Sequence, residues 1–272
     1  MSAPRLAINF SPQAAELLDS GTIEVDVFKV PDWDELIAEA ERYRPVYVHF
    51  PHQIGAAHER PELTRAAELM AATGTKALNV HVAPSSERFP DLAVGDAGDD
   101  AVAAVVDGLV VDLTPACERF GAEAVLAENL IYRGDGHGLL RAGVEPAALH
   151  ALVERTGCGF LLDVSHARIS AATLGLDPWA YLDALPVQAL QELHFSGVNL
   201  LDGSLRDHLP FNEDDWKFVD GVVGRVKGGA WAAPTTVTFE YGGVGPVFSW
   251  RSDIDIIAEQ LPRLREKVAL LG

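Results

Sequence analysis

Short apolar runs alternate with longer segments of helical periodicity along the whole chain. Each run is too short for a helix and therefore predicts a buried strand. Eight strands are predicted in this way, at residues 6–10, 25–30, 46–50, 77–82, 124–129, 159–164, 190–196 and 235–241.

The segments between these strands predict helices. After the second strand, apolar residues follow the i, i+3, i+4, i+7 spacing of one buried helix face, at Trp33, Leu36, Ile37 and Ala40. Further helices are predicted at residues 12–19, 61–73, within 99–120, 145–155, 178–185, 212–226 and 252–270. Strands and helices therefore alternate, which is typical of an α/β protein.

Eight strands, each followed by a helix, indicate a single (β/α)8 TIM barrel over residues 1–272. A doubly wound open sheet shows the same alternation, because a strand count does not prove closure. No glycine-rich phosphate-binding fingerprint follows the first strand, which favours the barrel. A chain of this length with 48% hydrophobic residues suits one large core.

The composition narrows the classes of partner. The net charge is −19, from 40 acidic against 21 basic residues, which disfavours binding to nucleic acid. The chain has no apolar stretch of about 18 residues and no signal pattern in residues 1–30, so we expect a cytoplasmic protein without membrane contact. Cys117 and Cys158 lack metal-site or redox spacing. We therefore expect both to remain reduced thiols whose role is packing.

Acidic and histidine side chains stand at the C-terminal ends of the third to eighth predicted strands. In a barrel these ends meet at one rim, where the active site lies. A single histidine at such a position is more often a hydrogen-bonded core residue than a metal ligand. When several such groups converge, however, they repel one another and exclude water from one another unless cations compensate their charge. The residues are His49, His52, His81, Glu128, Asp163, His166, His194, Asp207, His208 and Glu240.

Bound cations would compensate this crowding of charge. Carboxylates and imidazoles are ligands for zinc, iron and manganese. We therefore expect two or three divalent transition-metal ions, each with roughly three or four protein ligands and an open position for substrate or water.

The order of these residues along the chain resembles the xylose isomerase-like superfamily and, within it, the trinuclear metal site of endonuclease IV. The resemblance implies that Glu128 bridges two metal ions and that Glu240 completes the cluster. It implies eight metal ligands, which are His49, His81, Glu128, Asp163, His166, His194, His208 and Glu240.

The loop after the seventh strand departs from that pattern. Endonuclease IV has Asp-x-His there, whereas Asp207 and His208 are adjacent in this chain. Neighbouring side chains on extended backbone point to opposite sides. We therefore expect His208 to bind metal and Asp207 to act at most through a ligand imidazole, with Asp202 as a spare candidate.

A second resemblance covers residues 124–200. The segments 127–129, 161–164, 177–186 and 192–197 are similar to the multinuclear non-haem iron-dependent oxidative enzymes. Those enzymes use a di- or tri-iron cluster in the same barrel to modify cysteine residues of peptides. The resemblance implies iron as the favoured metal, with zinc or manganese as alternatives, and a peptide or small metabolite as substrate. The N-terminal third lacks that family's usual opening pattern.

Other polar residues near the strand ends are candidates for catalysis or substrate contact. Lys29 has apolar neighbours at the end of the second strand, where its ammonium group would bind an anion. Glu128 and Glu240 would act as acid/base groups as well as ligands in an isomerase. Each residue also fits a cap or a surface charge. The candidates for substrate binding are Asn9, Asn129, Arg168 and Asn199.

Three enzymatic functions are consistent with such a site. The first is iron-dependent oxidation of a peptide or small metabolite. The second is isomerisation or epimerisation of a sugar or sugar phosphate, in which divalent ions polarise the carbonyl group. The third is phosphoester hydrolysis of the endonuclease IV type, which the negative charge disfavours for DNA. The remaining alternative is a barrel that serves as a non-catalytic binding module.

Overall fold

The computed structural model describes residues 3–57, 62–134 and 137–272, apart from the side chains of residues 246, 247 and 249. The strands are β1 (Arg5–Asn9), β2 (Val27–Val30), β3 (Val46–Val48), β4 (Gln53–Ile54), β5 (Leu78–Val82), β6 (Val125–Glu128), β7 (Gly159–Asp163), β8 (Leu190–Phe195), β9 (Gly197–Leu201), β10 (Ser204–Leu209) and β11 (Thr236–Phe239). The α-helices are α1 (Pro12–Asp19), α2 (Asp34–Ala40), α3 (Leu63–Thr73), α4 (Asp99–Phe120), α5 (Pro146–Thr156), α6 (Val164–Leu174), α7 (Pro178–Asp183), α8 (Glu213–Lys227) and α9 (Ile254–Ala269).

The chain forms two compact units. The first contains Met1–His49, Ala71–Thr75 and Gln191–Gly272. Its parallel strands run in the order β3-β2-β1-β11-β8, and β9 and β10 form an antiparallel hairpin directly after β8. The second unit contains Phe50–Met70 and Lys76–Leu190, with parallel strands in the order β4-β5-β6-β7.

The parallel strands are buried almost throughout. Every residue of β2, β3, β6, β7 and β11 is buried. Continuous burial is typical of parallel strands that are covered on both faces, and it explains why these strands read as unbroken apolar runs in the sequence. The polar residues at their C-terminal ends therefore lie in an environment where charge must be compensated.

Helix starts in the structure follow local sequence signals. Ser11 caps α1 by accepting a hydrogen bond from the Ala14 backbone N–H at 3.1 Å. Asn212 and Asp215 form a capping box at the start of α8, in which each side chain accepts from the other residue's backbone N–H. These caps place the helix starts immediately after the loops that follow the strands.

All eight predicted strands are present, and their bounds lie within two residues of the prediction. Every predicted helix is also present, although Pro61, at the start of the third, lies outside the described residues. The prediction that Trp33 lies on the buried face of the second helix is wrong. Trp33 precedes α2 in extended conformation and is 52% exposed, so it does not share the buried face of Leu36, Ile37 and Ala40.

Four elements of the structure are absent from the prediction, which are β4, β9, β10 and α6. The short strand β4 pairs with β5, and the hairpin β9–β10 occupies what the sequence predicts as a loop. Helix α6 begins directly after β7, so His166 lies in a first helical turn rather than in a loop. Within the described parts of the chain, no helix combines the length and hydrophobicity of a membrane span. The assignment of residues 1–272 to a single domain stays a prediction.

Candidate metal centre

Four polar side chains of the second unit, His81, Glu128, Asp163 and His166, form what we call the Glu128 group. They stand at the C-terminal ends of β5, β6 and β7 and in the first turn of α6. His81 Nε2 lies 3.2 Å from Glu128 Oε2, and His166 Nε2 lies 3.6 Å from Asp163 Oδ2. Glu128 and Asp163 are almost completely buried. The structure therefore brings together all four ligands that the sequence predicts for these three strands.

Backbone geometry explains how these residues meet. His81 and Glu128 are register partners on the neighbouring strands β5 and β6. Asp163 ends β7 and is the N-cap of α6, where its Oδ1 accepts a 2.7 Å hydrogen bond from the His166 N–H. The same cap that starts the helix therefore sets the position of His166 next to the carboxylate.

Both imidazoles of the Glu128 group are oriented by backbone carbonyls. His166 Nδ1 lies 2.9 Å from the Asn129 carbonyl, and His81 Nδ1 lies 3.1 Å from the His52 carbonyl. Because a carbonyl only accepts hydrogen bonds, Nδ1 is the donor in each ring. In the neutral ring Nε2 then carries the lone pair and faces a carboxylate, which is the orientation of a metal-ligating histidine.

The donor set of the Glu128 group fits a divalent metal ion. Glu128, Asp163 and His166 each offer one ligand atom, and these atoms all lie within 4.8 Å of one another. Ligand atoms about 2.0–2.2 Å from a common ion are separated by about 3–4 Å, so only a small movement is needed. Nitrogen and oxygen donors of this type suit iron, zinc or manganese.

Four side chains of the first unit, Lys29, His194, His208 and Glu240, form what we call the Glu240 group. His194 Nδ1 lies 3.2 Å from Glu240 Oε1, and His208 Nδ1 lies 3.8 Å from Glu240 Oε2. The ring of His49, directly after β3, packs at 5.3 Å from the ring of His194. The remaining predicted ligands therefore gather around Glu240.

Lys29, which is predicted to bind an anion, has a carboxylate partner within the chain. Its ammonium group donates to Glu240 Oε1 and lies 3.5 Å from His194 Nδ1. Because Lys29 is buried, a carboxylate partner offsets the cost of desolvating its charge. The anion that Lys29 binds in this structure is thus Glu240 of the same chain, and contact of Lys29 with a substrate stays a prediction.

The segment that carries Asp207 and His208 is not regularly extended. His208 has a φ of 55°, and the pairing of β9 with β10 shifts register between Arg206 and Leu209. As a result, Asp207 Oδ2 lies 3.4 Å from His208 Nε2, so the two neighbouring side chains converge. The expectation that they point apart is wrong because it assumes extended backbone. Asp202 is exposed at the hairpin turn and does not join them.

The four predicted substrate-binding residues are not equivalent. Asn129 uses its side-chain amide on the Asp163 backbone, accepting from the N–H and donating to the carbonyl at 3.0 Å each. It therefore positions Asp163, and its predicted contact with substrate stays a prediction. Asn199 is exposed on β9 and accepts from the Leu200 N–H. Arg168 is half-buried on α6, and Asn9 is half-buried at the end of β1.

Sequence reasoning missed two residues. Glu192 lies 2.7 Å from His194 Nε2, and the period-2 alternation of a strand would have shown that both point to one face. Arg251 packs over the Phe248 ring at 4.3 Å, and burial lowers the pKa of its guanidinium while Asp207 raises it. No local pattern in the sequence marks Arg251, which ends a short 3-10 helix over Pro246–Arg251.

The two cysteines do not contribute thiolate ligands. Both thiols are free, and burial raises the pKa of Cys117 to about 11, with a further increase from nearby Cys158. Burial also raises the pKa of Cys158. A protonated thiol is a poor metal ligand, so the packing role predicted for both residues is consistent with these environments.

Comparison with known proteins finds two kinds of protein that are similar to parts of this chain. A family model described as "RiPP precursor modification enzyme MbnB/TglH/ChrH" matches residues 140–242. The local resemblance predicted from the sequence is confirmed. A UPF0276 protein of Acaryochloris marina is 30% identical over 146 residues, which are 53% of this chain and 47% of that protein. The chain therefore spans about half the length of this relative.

Solved structures establish the fold. A D-tagatose 3-epimerase-like protein superposes with a TM-score of 0.59 and 14% identity, covering 98% of both chains. An AP endonuclease of family 2 from Brucella melitensis superposes with a TM-score of 0.57 and 15% identity, covering 95% of this chain and 98% of that one. These identities are too low to transfer a function. They confirm the predicted TIM-barrel fold.

Proposed function

We propose that this chain is a metal-dependent enzyme that oxidatively modifies a peptide. The observation that carries the proposal is the match of residues 140–242 to a family of peptide-modifying enzymes. That segment contains five of the eight predicted ligands, which are Asp163, His166, His194, His208 and Glu240. The match and the metal-type geometry therefore coincide in the same part of the chain.

We propose that both groups contribute metal ligands, which are Glu128, Asp163, His81 and His166 in one and Glu240, His194 and His208 in the other. Two imidazoles with carboxylates and no thiolate form the type of donor set that non-haem iron enzymes use. Iron, when bound, would supply redox chemistry with oxygen. The prediction of a di- or trinuclear cluster, with His49 as a further ligand, stays a prediction.

The chain's own residues have separate tasks in this proposal. Asn129 and the α6 cap hold Asp163 and His166 in place before metal binds, which lowers the cost of assembling the site. The ammonium of Lys29 donates to Glu240 and so keeps this carboxylate ionised and oriented. Lys29 is thus a positioning residue for Glu240 in this proposal, and a direct catalytic role for Lys29 stays a prediction.

Epimerisation is the alternative reaction. Glu128 and Glu240 each lie beside imidazoles at strand ends, and two such carboxylates suit the acid/base pair of an isomerase. The epimerase neighbours share only the fold, so they add no support for the reaction. Hydrolysis of DNA is disfavoured by the net charge of −19.

An anaerobic reconstitution experiment tests the proposal. The purified chain is loaded with Fe(II), Mn(II) or Zn(II), its metal content is counted, and oxygen uptake is measured with cysteine-containing peptides as substrates. We expect at least two ions per chain and oxygen consumption with iron only. Metal binding with oxygen-independent sugar epimerisation would establish the alternative reaction. A metal content near zero under all three conditions would refute both.

A further inference from the structure

A chain of buried polar side chains leads from His194 into the core of the first unit. Glu192 Oε1 lies 2.7 Å from His194 Nε2, and Tyr47 donates its hydroxyl to the same Oε1 at 2.9 Å. Thr238 Oγ1 lies 2.7 Å from the Tyr47 hydroxyl oxygen. All four side chains are buried, and they come from the three strands β3, β8 and β11.

The chemistry of these groups fixes the direction of each hydrogen bond. An ionised carboxylate only accepts, so Tyr47 O–H and His194 Nε2–H are both donors to Glu192. The Tyr47 proton is then committed to Glu192, and Thr238 donates to the Tyr47 oxygen. Two donors on one buried carboxylate oxygen offset the cost of removing its charge from water.

We propose that Glu192 is a positioning residue that holds His194 as the Nε2–H tautomer and directs its Nδ1 towards Glu240. A second contact agrees with this assignment. The Lys29 ammonium, which can only donate, lies 3.5 Å from Nδ1, and Glu240 Oε1 lies 3.2 Å from the same nitrogen; the Lys29 contact fits a lone pair on Nδ1, and the measured tautomer decides between the two contacts. The inference rests on the proposed function only where it makes Nδ1 the metal-binding atom.

His194 differs in this respect from the other imidazoles of the two groups. In His81, His166 and His208, Nδ1 lies 2.9–3.1 Å from a backbone carbonyl, and Nε2 faces a carboxylate. In His194 a side-chain carboxylate takes the carbonyl's place, and the ring is reversed. A carboxylate partner makes an imidazole a stronger metal ligand than a carbonyl partner does, so Glu192 would strengthen metal binding by His194.

The strand positions of the four residues explain why their side chains meet. Glu192 and His194 are two residues apart on β8, so they point to the same face. His194 is the register partner of Thr238 on β11, which brings the far end of the hydrogen-bond chain beside its start. Tyr47 on β3 closes the chain because its hydroxyl reaches both Glu192 and Thr238.

The test combines a spectroscopic measurement with metal affinity. The His194 tautomer is read from nitrogen-15 chemical shifts of the metal-free protein at about pH 8, above the ordinary histidine pKa of about 6.5. We expect the Nε2–H tautomer in the wild type. Glu192→Gln offers both an amide N–H and an oxygen to the ring, so we expect a mixture of tautomers and about 10–100-fold weaker metal binding. Tyr47→Phe keeps the carboxylate and should have a smaller effect on both.

A matched control separates positioning from simple loss of core stability. Asp215→Asn alters another buried carboxylate, the one in the capping box of α8, and should lower stability without changing the His194 tautomer. An Nδ1–H tautomer in the wild type would overturn the proposal, as would Glu192→Gln with unchanged tautomer and unchanged affinity. If the wild type binds no metal at all, the proposed function fails, while the tautomer of the metal-free protein still decides the role of Glu192.

Discussion

At the scale of single residues, the imidazoles of the two groups follow one rule. Each ring has one nitrogen next to a fixed hydrogen-bond acceptor and the other next to a carboxylate. In a neutral ring this orientation turns the lone pair towards a carboxylate, and because two acceptors that face each other repel, a cation between them would stabilise the contact. The repeated orientation is therefore the strongest residue-level support for metal binding.

A substitution of Asp163 can separate its role as a helix cap from its role as a metal ligand. Asn is as good an N-cap as Asp, so Asp163→Asn keeps the start of α6 but removes the carboxylate charge. We expect the metal-free variant to retain nearly wild-type stability and the metal content of the chain to fall by about one ion. Asp177→Asn is the matched control, because Asp177 caps α7 in the same way at an exposed position. Equal metal content in both variants would contradict the role of Asp163.

The convergence of Asp207 and His208 leads to a second prediction. Because Asp207 Oδ2 and His208 Nε2 are 3.4 Å apart, we expect both Asp207→Ala and His208→Ala to weaken metal binding. Mass-spectrometric metal counting at limiting metal measures the effect. Asp202→Asn, at a left-handed turn position that Asn tolerates, serves as the control. If only His208→Ala lowers the metal content, Asp207 is not a ligand.

At the scale of elements, the hairpin β9–β10 determines where His208 stands. The His208 N–H donates to Ser196 Oγ, and its Nδ1 donates to the Glu240 carbonyl, both at 3.0 Å. Gly197 at the base of the hairpin has no space for a side chain, because an added Cβ would overlap the Pro210 carbonyl oxygen. The hairpin can therefore close against this loop only with glycine there.

Gly197→Ala tests this dependence. We expect a loss of about 1–3 kcal/mol in the free energy of unfolding and weaker metal binding, because the hairpin must move away from Pro210. Gly224→Ala is the control, since this exposed position in α8 has open space around it and should gain about 0.5–1 kcal/mol. Chemical denaturation and metal titration of both variants measure these effects. A neutral Gly197→Ala would show that the hairpin tolerates the displacement.

At the scale of the whole molecule, metal bound by the buried acidic and histidine side chains would stabilise the folded state, because the unfolded chain does not assemble the site. Metal that binds only the folded state at 100 times its dissociation constant adds about 2.7 kcal/mol. For a chain of this size we expect metal loading to raise the thermal midpoint by about 5–10 °C, and chelation to reverse the change. Asp163→Asn should show a smaller increase. An unchanged midpoint in the wild type at saturating metal would contradict a site in the folded state.

The net charge leads to a further prediction for the whole molecule. With a net charge of −19 there is no gain from counterion release on a phosphate backbone, so we expect no binding to duplex DNA at about 150 mM salt. A gel-shift titration up to high protein concentration measures this. A micromolar or tighter complex would show that a local basic surface outweighs the total charge. Hydrolysis of DNA would then become a candidate function again.

The sequence by itself determined the strand–helix order, the barrel fold and the site residues at strand ends. Those features depend on local hydrophobic period and on the rule that parallel strands end at one edge, and both can be read residue by residue. The tertiary structure alone decided the ring orientations, the Lys29–Glu240 pair, the Tyr47–Glu192–His194 chain and the convergence of Asp207 with His208. Each of these depends on hydrogen bonds between distant strands or on a left-handed backbone angle, for which a linear pattern carries no signal.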